Sequence, residues 1–311
     1  MLRKDLTLLV AIAALFGASF LFIRIAAPVT GPLPVSAGRV ALGALVPLAV
    51  LAWHRRLADL FSGGPARARD MLVVGILLAA LPFTLFAVAE LRVTASLASV
   101  LNAAVPLWSV LVAALWLGQP VTARRLGGAL IGVAGVALAV GLGPLPRDPA
   151  TLAGAGACLV AALSYALGSV WATRRLADVP PTALAAGQQL TAAAVLAGPV
   201  VLAVAVVGPG EGTTPADTGG AVAAIAALGV VCTGFAFTLW FRLLRSVGPV
   251  AAVTVTLLAP VFGVAWGALF LGEPVTPGLV VGAAGVLLGV GLITGTTVRP
   301  SQRLRQRQPA T

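Results

Sequence analysis

The sequence has 311 residues, of which 59% are hydrophobic and only 9% are charged, and its mean hydropathy is +1.06. Soluble domains are about one quarter charged, so this chain has too few polar side chains to cover a water-facing surface. Its hydrophobicity also excludes a disordered protein. The composition predicts a protein surrounded mostly by lipid, with room for roughly ten spanning helices of about 20 residues each.

The formal net charge of +11 would suggest nucleic-acid binding in a soluble protein. Here the basic residues lie between apolar runs and form no patch with interleaved aromatic side chains. Cytoplasmic loops of membrane proteins are rich in Lys and Arg. We therefore interpret the charge as a sign of membrane topology, and we expect a lipid bilayer rather than a nucleic acid as the partner.

Ten apolar segments separated by Gly- and Pro-rich breaks predict an all-α membrane protein with ten transmembrane helices. The first segment is long and lacks a small-residue cleavage site, so we expect it to be a span rather than a signal peptide. In chain order, predicted spans 1 to 10 cover residues 6–27, 34–53, 71–89, 94–117, 126–143, 152–173, 181–206, 219–241, 249–271 and 277–295.

The distribution of basic residues predicts the orientation of these spans. With a cytoplasmic N-terminus and ten spans, 16 of the 20 basic residues fall in cytoplasmic segments, and only Arg92 and Arg147 fall in external ones. Arg24 and Arg39 lie within spans. Because Lys and Arg accumulate on the cytoplasmic side, we expect both termini to be cytoplasmic. We expect the protein in the inner or plasma membrane of the cell.

The sequence repeats itself at an offset of 154 residues (237 minus 83), where Phe83-Thr84-Leu85 matches Phe237-Thr238-Leu239. At the same offset Pro106 matches Pro260, and residues 117–122 match residues 271–276 except that Gln119 is replaced by Glu273. Five spans per copy is an odd number, so the second copy would cross the membrane in the opposite direction. Inverted repeats of this kind are typical of carriers that work by alternating access.

The two halves resemble the EamA repeats of the drug/metabolite transporter superfamily. The resemblance rests on residues 16–20 of predicted span 1, Arg39, Pro106 with the 117–120 turn, residues 162–166, and Pro260 with the 271–274 turn. It implies a first repeat at 6–143, a second at 152–295 and a basic cytoplasmic tail at 296–311. It also implies two inverted five-helix repeats around a central cavity, in a carrier that exports small metabolites, often amino acids.

Polar residues inside predicted spans are the candidates for substrate binding, because each charge at mid-bilayer costs at least about 2.5–3.5 kcal/mol. Arg39 lies about 7–8 Å from the end of its span, where it could either bind substrate or extend to the headgroups. The resemblance also places an arginine there. The other candidates, each with a packing role as the alternative, are Asn102, Tyr165, Gln188 and Trp266.

Arg24 and Glu90 fall at a depth similar to that of Arg39 on neighbouring spans. They could form an external gate, an ion-pair network or an anion site, and we assign them to a gate. Pro106 and Pro260 predict helix kinks, since proline frees a backbone carbonyl in a helix. Glycine faces in predicted spans 5 and 10 predict close helix packing.

The sequence lacks the residues that several other functions require. The sequence contains no metal-ligand spacing, no catalytic triad and no phosphate-binding loop, so we expect no cofactor, no metal and no enzymatic activity. The hypothesis is a secondary transporter that exports a small polar metabolite. The alternatives are an organic-phosphate or nucleotide-sugar exchanger of the same superfamily and a passive membrane channel.

Overall fold

The computed structural model of the chain describes residues 3–60, 62–118, 122–141, 148–207 and 214–294. Within these ranges every regular element is helical. The α-helices are α1 (Arg3–Thr30), α2 (Pro32–Trp53), α3 (Gly64–Gly75), α4 (Leu81–Ala89), α5 (Ala95–Asn102), α6 (Val105–Leu117), α7 (Ala123–Gly141), α8 (Pro149–Arg175), α9 (Pro181–Val207), α10 (Pro215–Ala226), α11 (Ala236–Leu271) and α12 (Pro277–Thr294).

Eight segments of the described chain are long and apolar enough to cross a membrane, and they coincide with predicted spans 1 to 8. The regions of predicted spans 9 and 10 contain shorter apolar helical stretches, Leu258–Leu271 and Pro277–Leu292. The chain is thus a multi-pass membrane protein, while the count of ten spans and their inverted orientation stay predictions. The predicted tail at 296–311 and Gln119 lie outside the described residues.

Several helices begin where the sequence provides a capping side chain. Thr94 accepts a hydrogen bond from the Leu97 amide at 3.2 Å, and Asp148 accepts one from the Thr151 amide at 2.8 Å. Such caps satisfy amide groups that have no partner within the helix. The helix boundaries follow the predicted breaks closely for this reason.

The helix assignment of α11 runs from Ala236 to Leu271, across the predicted break between spans 8 and 9. This segment cannot be one straight helix, because Phe237 packs on Phe16 with ring centres 5.6 Å apart, while a methyl group on the adjacent Gly17 would lie 2.8 Å from Phe262 Cβ. A straight helix would separate residues 237 and 262 by about 37 Å. The division of this segment into two spans therefore stays a prediction.

Two π-helical segments interrupt predicted spans 3 and 8. One covers Ile76–Ala80, between α3 and α4, and the other covers Ala227–Phe235, between α10 and α11. Adding the repeat offset of 154 to residues 76–80 gives 230–234, which lies inside the second segment. The two halves therefore carry the same helix irregularity at the same place, and π-helical turns often occur at functional sites.

Helices of the two halves pair with each other across the molecule. Helix α7 packs along α12, α1 along α11, and α2 along α9. The predicted glycine faces are confirmed at the first of these contacts, because a methyl group added to Gly135 would lie 2.7 Å from the Gly282 carbonyl oxygen.

Predicted span 4 is divided into α5 and α6 by a turn at Ala103 and Ala104. The amides of these residues bond to the carbonyls of Val100 and Leu101, at 3.1 and 3.0 Å, three positions back instead of four. Pro106 lies two residues after this turn, in the first turn of α6, and the kink predicted at the proline itself stays a prediction. The helix continues through Pro260 in the second half, and a bend there stays a prediction.

We expect Gly135→Ala to lower the free energy of unfolding by about 1–3 kcal/mol, because the new methyl group would meet α12 backbone atoms and force the helices apart. Its nearest atoms would be Val286 N at 2.5 Å and Gly282 O at 2.7 Å. The measurement is the thermal melting temperature of the purified protein in detergent.

Gly127→Ala on the same helix is the matched control, since a methyl group there would meet no atom within 4 Å. Alanine favours a helix over glycine by about 1 kcal/mol, so this variant should melt at or above the wild-type temperature. Equal melting temperatures for the two variants would contradict the packing described for α7 and α12.

Candidate functional site

Arg39 is the buried cation at the centre of the candidate site, with only 7% of its surface exposed. Its Nε donates a hydrogen bond of 2.9 Å to the Thr233 hydroxyl, and its guanidinium carbon lies 3.7 Å from the centre of the Phe83 ring. Cation–π contacts of this kind stabilise a desolvated guanidinium. Within the described chain its two terminal nitrogens form no hydrogen bond, so they are free to bind an anionic group.

The π-helical segment Ala227–Phe235 positions the hydroxyl that holds Arg39. Thr233 donates its own proton to the Leu228 carbonyl at 2.9 Å, which leaves its oxygen to accept from Arg39. The segment lies close to α2, because a methyl group added to Gly43 would lie 2.8 Å from Thr233 Cγ2. Glycine therefore allows the short distance that the buried bond requires.

Aromatic rings surround the guanidinium on its other side. Tyr165 stacks on Phe86, with ring centres 6.3 Å apart, and meets Phe83 edge-on at 6.4 Å. Tyr165 also lies within electrostatic range of Arg39. The structure thus brings two of the predicted substrate-binding residues together, on helices from opposite halves of the chain.

Gln188 and Arg39 lie at similar helix crossings in the two halves, although they are 149 residues apart and the repeat offset of 154 pairs Arg39 with Ala193. A methyl group on Gly229 would lie 3.1 Å from the Arg39 carbonyl oxygen, and one on Gly75 would lie 3.0 Å from the Gln188 carbonyl oxygen. Gly75 and Gly229 are themselves 154 residues apart. Each of these two polar residues therefore sits where its helix crosses the π-helical region of the opposite half.

The predicted gate residues Arg24 and Glu90 are in contact, but the Arg24 guanidinium bonds the main chain of Glu90 and not its carboxylate. Arg24 donates a hydrogen bond to the main-chain carbonyl of Glu90. The Glu90 side chain is fully buried, and neither of its carboxylate oxygens has a hydrogen-bond partner in the described chain. Arg24, Arg39 and a third residue, Glu273, all lie within electrostatic range of this carboxylate.

Asn102 and Trp266 are the remaining predicted substrate-binding residues. The buried Oδ1 of Asn102, at the end of α5, has no hydrogen-bond partner among the described residues. Trp266 donates its indole N–H to the Ala14 carbonyl at 3.1 Å and stacks on Phe262. Asn102 therefore keeps an acceptor free, while Trp266 offers a ligand only its ring.

The sequence analysis did not single out Thr233, Phe83 or Glu273 as site residues. Glu273 accepts hydrogen bonds from the amides of Ala95 and Ser96 at the start of α5. Its place in the repeated 271–276 turn is a signal that could have identified it. Thr233 is one hydroxyl in a long apolar run, and no pattern in the sequence marks it as a partner of Arg39.

We expect Thr233→Val to lower the free energy of unfolding by about 1–3 kcal/mol, because valine keeps the shape but leaves the buried Arg39 Nε without an acceptor. Thr238→Val is the control, since that hydroxyl bonds only the Gly234 carbonyl of its own helix, at 2.9 Å. Thermal melting in detergent measures both variants. If they melt alike, Thr233 does not support the guanidinium.

Comparison with known proteins identifies the family. The model of the EamA-like transporter family matches residues 4–141 and again residues 152–295. A protein of known crystal structure shares the fold, with 22% identity, a TM-score of 0.63, and a match covering 93% of this chain and 96% of the other. No curated protein matches the sequence. Because the two matches of the family model together cover most of the chain, the protein belongs to the EamA-like transporter family, the membrane transporters of the drug/metabolite transporter superfamily.

Proposed function

We propose that the protein is a secondary transporter that exports a small polar metabolite carrying a carboxylate, such as an amino acid, by alternating access. The observation that carries this proposal is the Arg39 guanidinium, which contacts Thr233 and Phe83 while its terminal nitrogens have no hydrogen-bond partner among the described residues. Two parallel N–H groups match the two oxygens of a carboxylate. Arg39 would therefore bind the acidic group of the substrate.

Each half supplies a neutral polar group. Gln188 of the second half lies at a helix crossing similar to that of Arg39, and Asn102 of the first half has an acceptor oxygen with no hydrogen-bond partner among the described residues. An amide oxygen can accept hydrogen bonds from a substrate ammonium group. This pairing of one cation with neutral acceptors favours a substrate with one negative and one positive group, whereas a phosphate ester would call for additional cations.

The repeated architecture supports a carrier rather than a passive channel. The two π-helical segments lie at equivalent positions, and each contacts a helix of the opposite half. Two similar halves can exchange conformations, so that a central site opens to one side at a time. The charge distribution of the loops supports cytoplasmic termini and a place in the inner or plasma membrane.

Counterflow in proteoliposomes tests the proposal with labelled amino acids, organic acids and sugar phosphates offered as separate pools. We expect saturable exchange of a carboxylate-containing pool in the wild type and a loss of at least about ten-fold in Arg39→Ala, the effect of removing one charge-assisted contact. Arg39→Lys should recover only part of the rate, because a single ammonium group cannot form the paired contact.

Arg92→Ala is the matched control, since this arginine is exposed and outside the candidate site. It should exchange substrate at the wild-type rate. Uptake without saturation or exchange would indicate a channel, and preferential exchange of sugar phosphates would indicate the exchanger function. Wild-type turnover in Arg39→Ala would overturn the assignment of Arg39.

A further inference from the structure

We propose that Glu273 is a gate residue that closes one end of the transporter by fastening the turn after α11 to the first residues of α5. This inference rests on the proposed transport function, because a gate matters only if the molecule alternates between states. It adds a residue to the predicted gate of Arg24 and Glu90, and it places the fastening point between the two halves of the chain.

The Glu273 carboxylate receives three hydrogen bonds from the start of α5. Its Oε1 accepts from the Ala95 amide at 2.8 Å, and its Oε2 accepts from the Ser96 amide at 2.9 Å and the Ser96 hydroxyl at 2.5 Å. The amides at a helix N-terminus have no partner within the helix, and the helix dipole favours a negative charge there. Glu273 therefore acts as a capping group for a helix 177 residues away in sequence.

The fastening is built on a close contact between α5 and α11. A methyl group on Gly267 would lie 2.5 Å from both the Glu273 Oε2 atom and the Ser96 hydroxyl oxygen. Ser96 and Ser99 are each only 1% exposed on the facing helix. Small residues thus allow α5 and α11 to pack closely. Separation of these two helices would expose Ser99 to water.

The other half of predicted span 4 does not follow the same path. Helix α5 packs mainly on α11 and also contacts α1 and α8, whereas α6 packs mainly on α8 and α12 and does not share the main contact with α11. The turn at Ala103 and Ala104 separates the two pieces. This turn provides a hinge at which α5 can move with the gate while α6 stays with its own neighbours.

The repeat makes the two ends of the transporter unequal. The position equivalent to Glu273 in the first half is Gln119, which is 154 residues earlier. A glutamine side chain has one carbonyl oxygen and no negative charge, so it is a weaker cap for a helix N-terminus than a carboxylate. The resting protein is therefore biased toward the state in which the Glu273 end is closed.

Labelling of a single buried thiol tests the gate without any knowledge of the substrate. The reporter is Ser99→Cys in a protein whose two native cysteines, Cys158 and Cys232, are replaced by alanine. In lipid nanodiscs both faces of the bilayer are accessible to a water-soluble maleimide. We expect slow labelling with Glu273 intact and a labelling rate about ten-fold higher with Glu273→Gln, because loss of a charge-assisted hydrogen bond shifts an equilibrium by about this factor.

Asp148→Asn is the matched control, because Asp148 also caps a helix but does so for its own helix α8. It should leave the labelling rate at position 99 unchanged. Ser96→Ala removes only one of the three bonds and gives a smaller increase, which keeps the proposal testable if Glu273→Gln does not fold. Unchanged labelling in Glu273→Gln and Ser96→Ala, or an equal increase in Asp148→Asn, would overturn the gate.

Counterflow in the same preparations separates the failure of this inference from the failure of the proposed function. Faster labelling in Glu273→Gln, together with no exchange by the wild type, would support the gate and reject the tested substrates. Normal wild-type exchange together with unchanged labelling in Glu273→Gln and Ser96→Ala would reject the gate and leave the transport function supported.

Discussion

A guanidinium group buried among membrane-spanning helices requires partners for its charge and its N–H groups, and the central packing is arranged around this requirement. Thr233 and Phe83 satisfy one part of Arg39, and they come from two other helical segments. The Thr233 hydroxyl is available because a π-helical turn orients it, and it reaches Arg39 because Gly43 lets α2 come close. A change in any of these elements would therefore alter the contacts of the Arg39 guanidinium.

The cation is held on one side and left open on the other. Burying a charge in a membrane protein is costly, and the remaining N–H groups of Arg39 would be satisfied best by an anionic ligand. Binding energy from such a ligand can then help to stabilise a particular arrangement of the two halves. Ligand recognition and conformational change would in this way depend on the same few atoms around Arg39.

The sequence predicted the helical class, the repeat and most of the helix boundaries, because these depend on local hydrophobicity and on capping and turn residues such as Thr94 and Asp148. It also predicted a common depth for Arg24, Arg39 and Glu90, and in the structure both arginines lie within electrostatic range of Glu90. Contacts between distant segments have no local signal. This is why Thr233 and the role of Glu273 at α5 went unrecognised.

The pairing of helices across the two halves has a consequence for biosynthesis. Because α7 packs on α12, α1 on α11 and α2 on α9, the first half leaves the ribosome before most of its packing partners have been made. Until the second half is synthesised and inserted, the glycine faces and Arg39 of the first half lack these packing partners, either in the bilayer or beside an insertion factor. Assembly of the polar centre is therefore one of the last steps of membrane insertion, and truncated chains would present unpaired surfaces to cellular quality control.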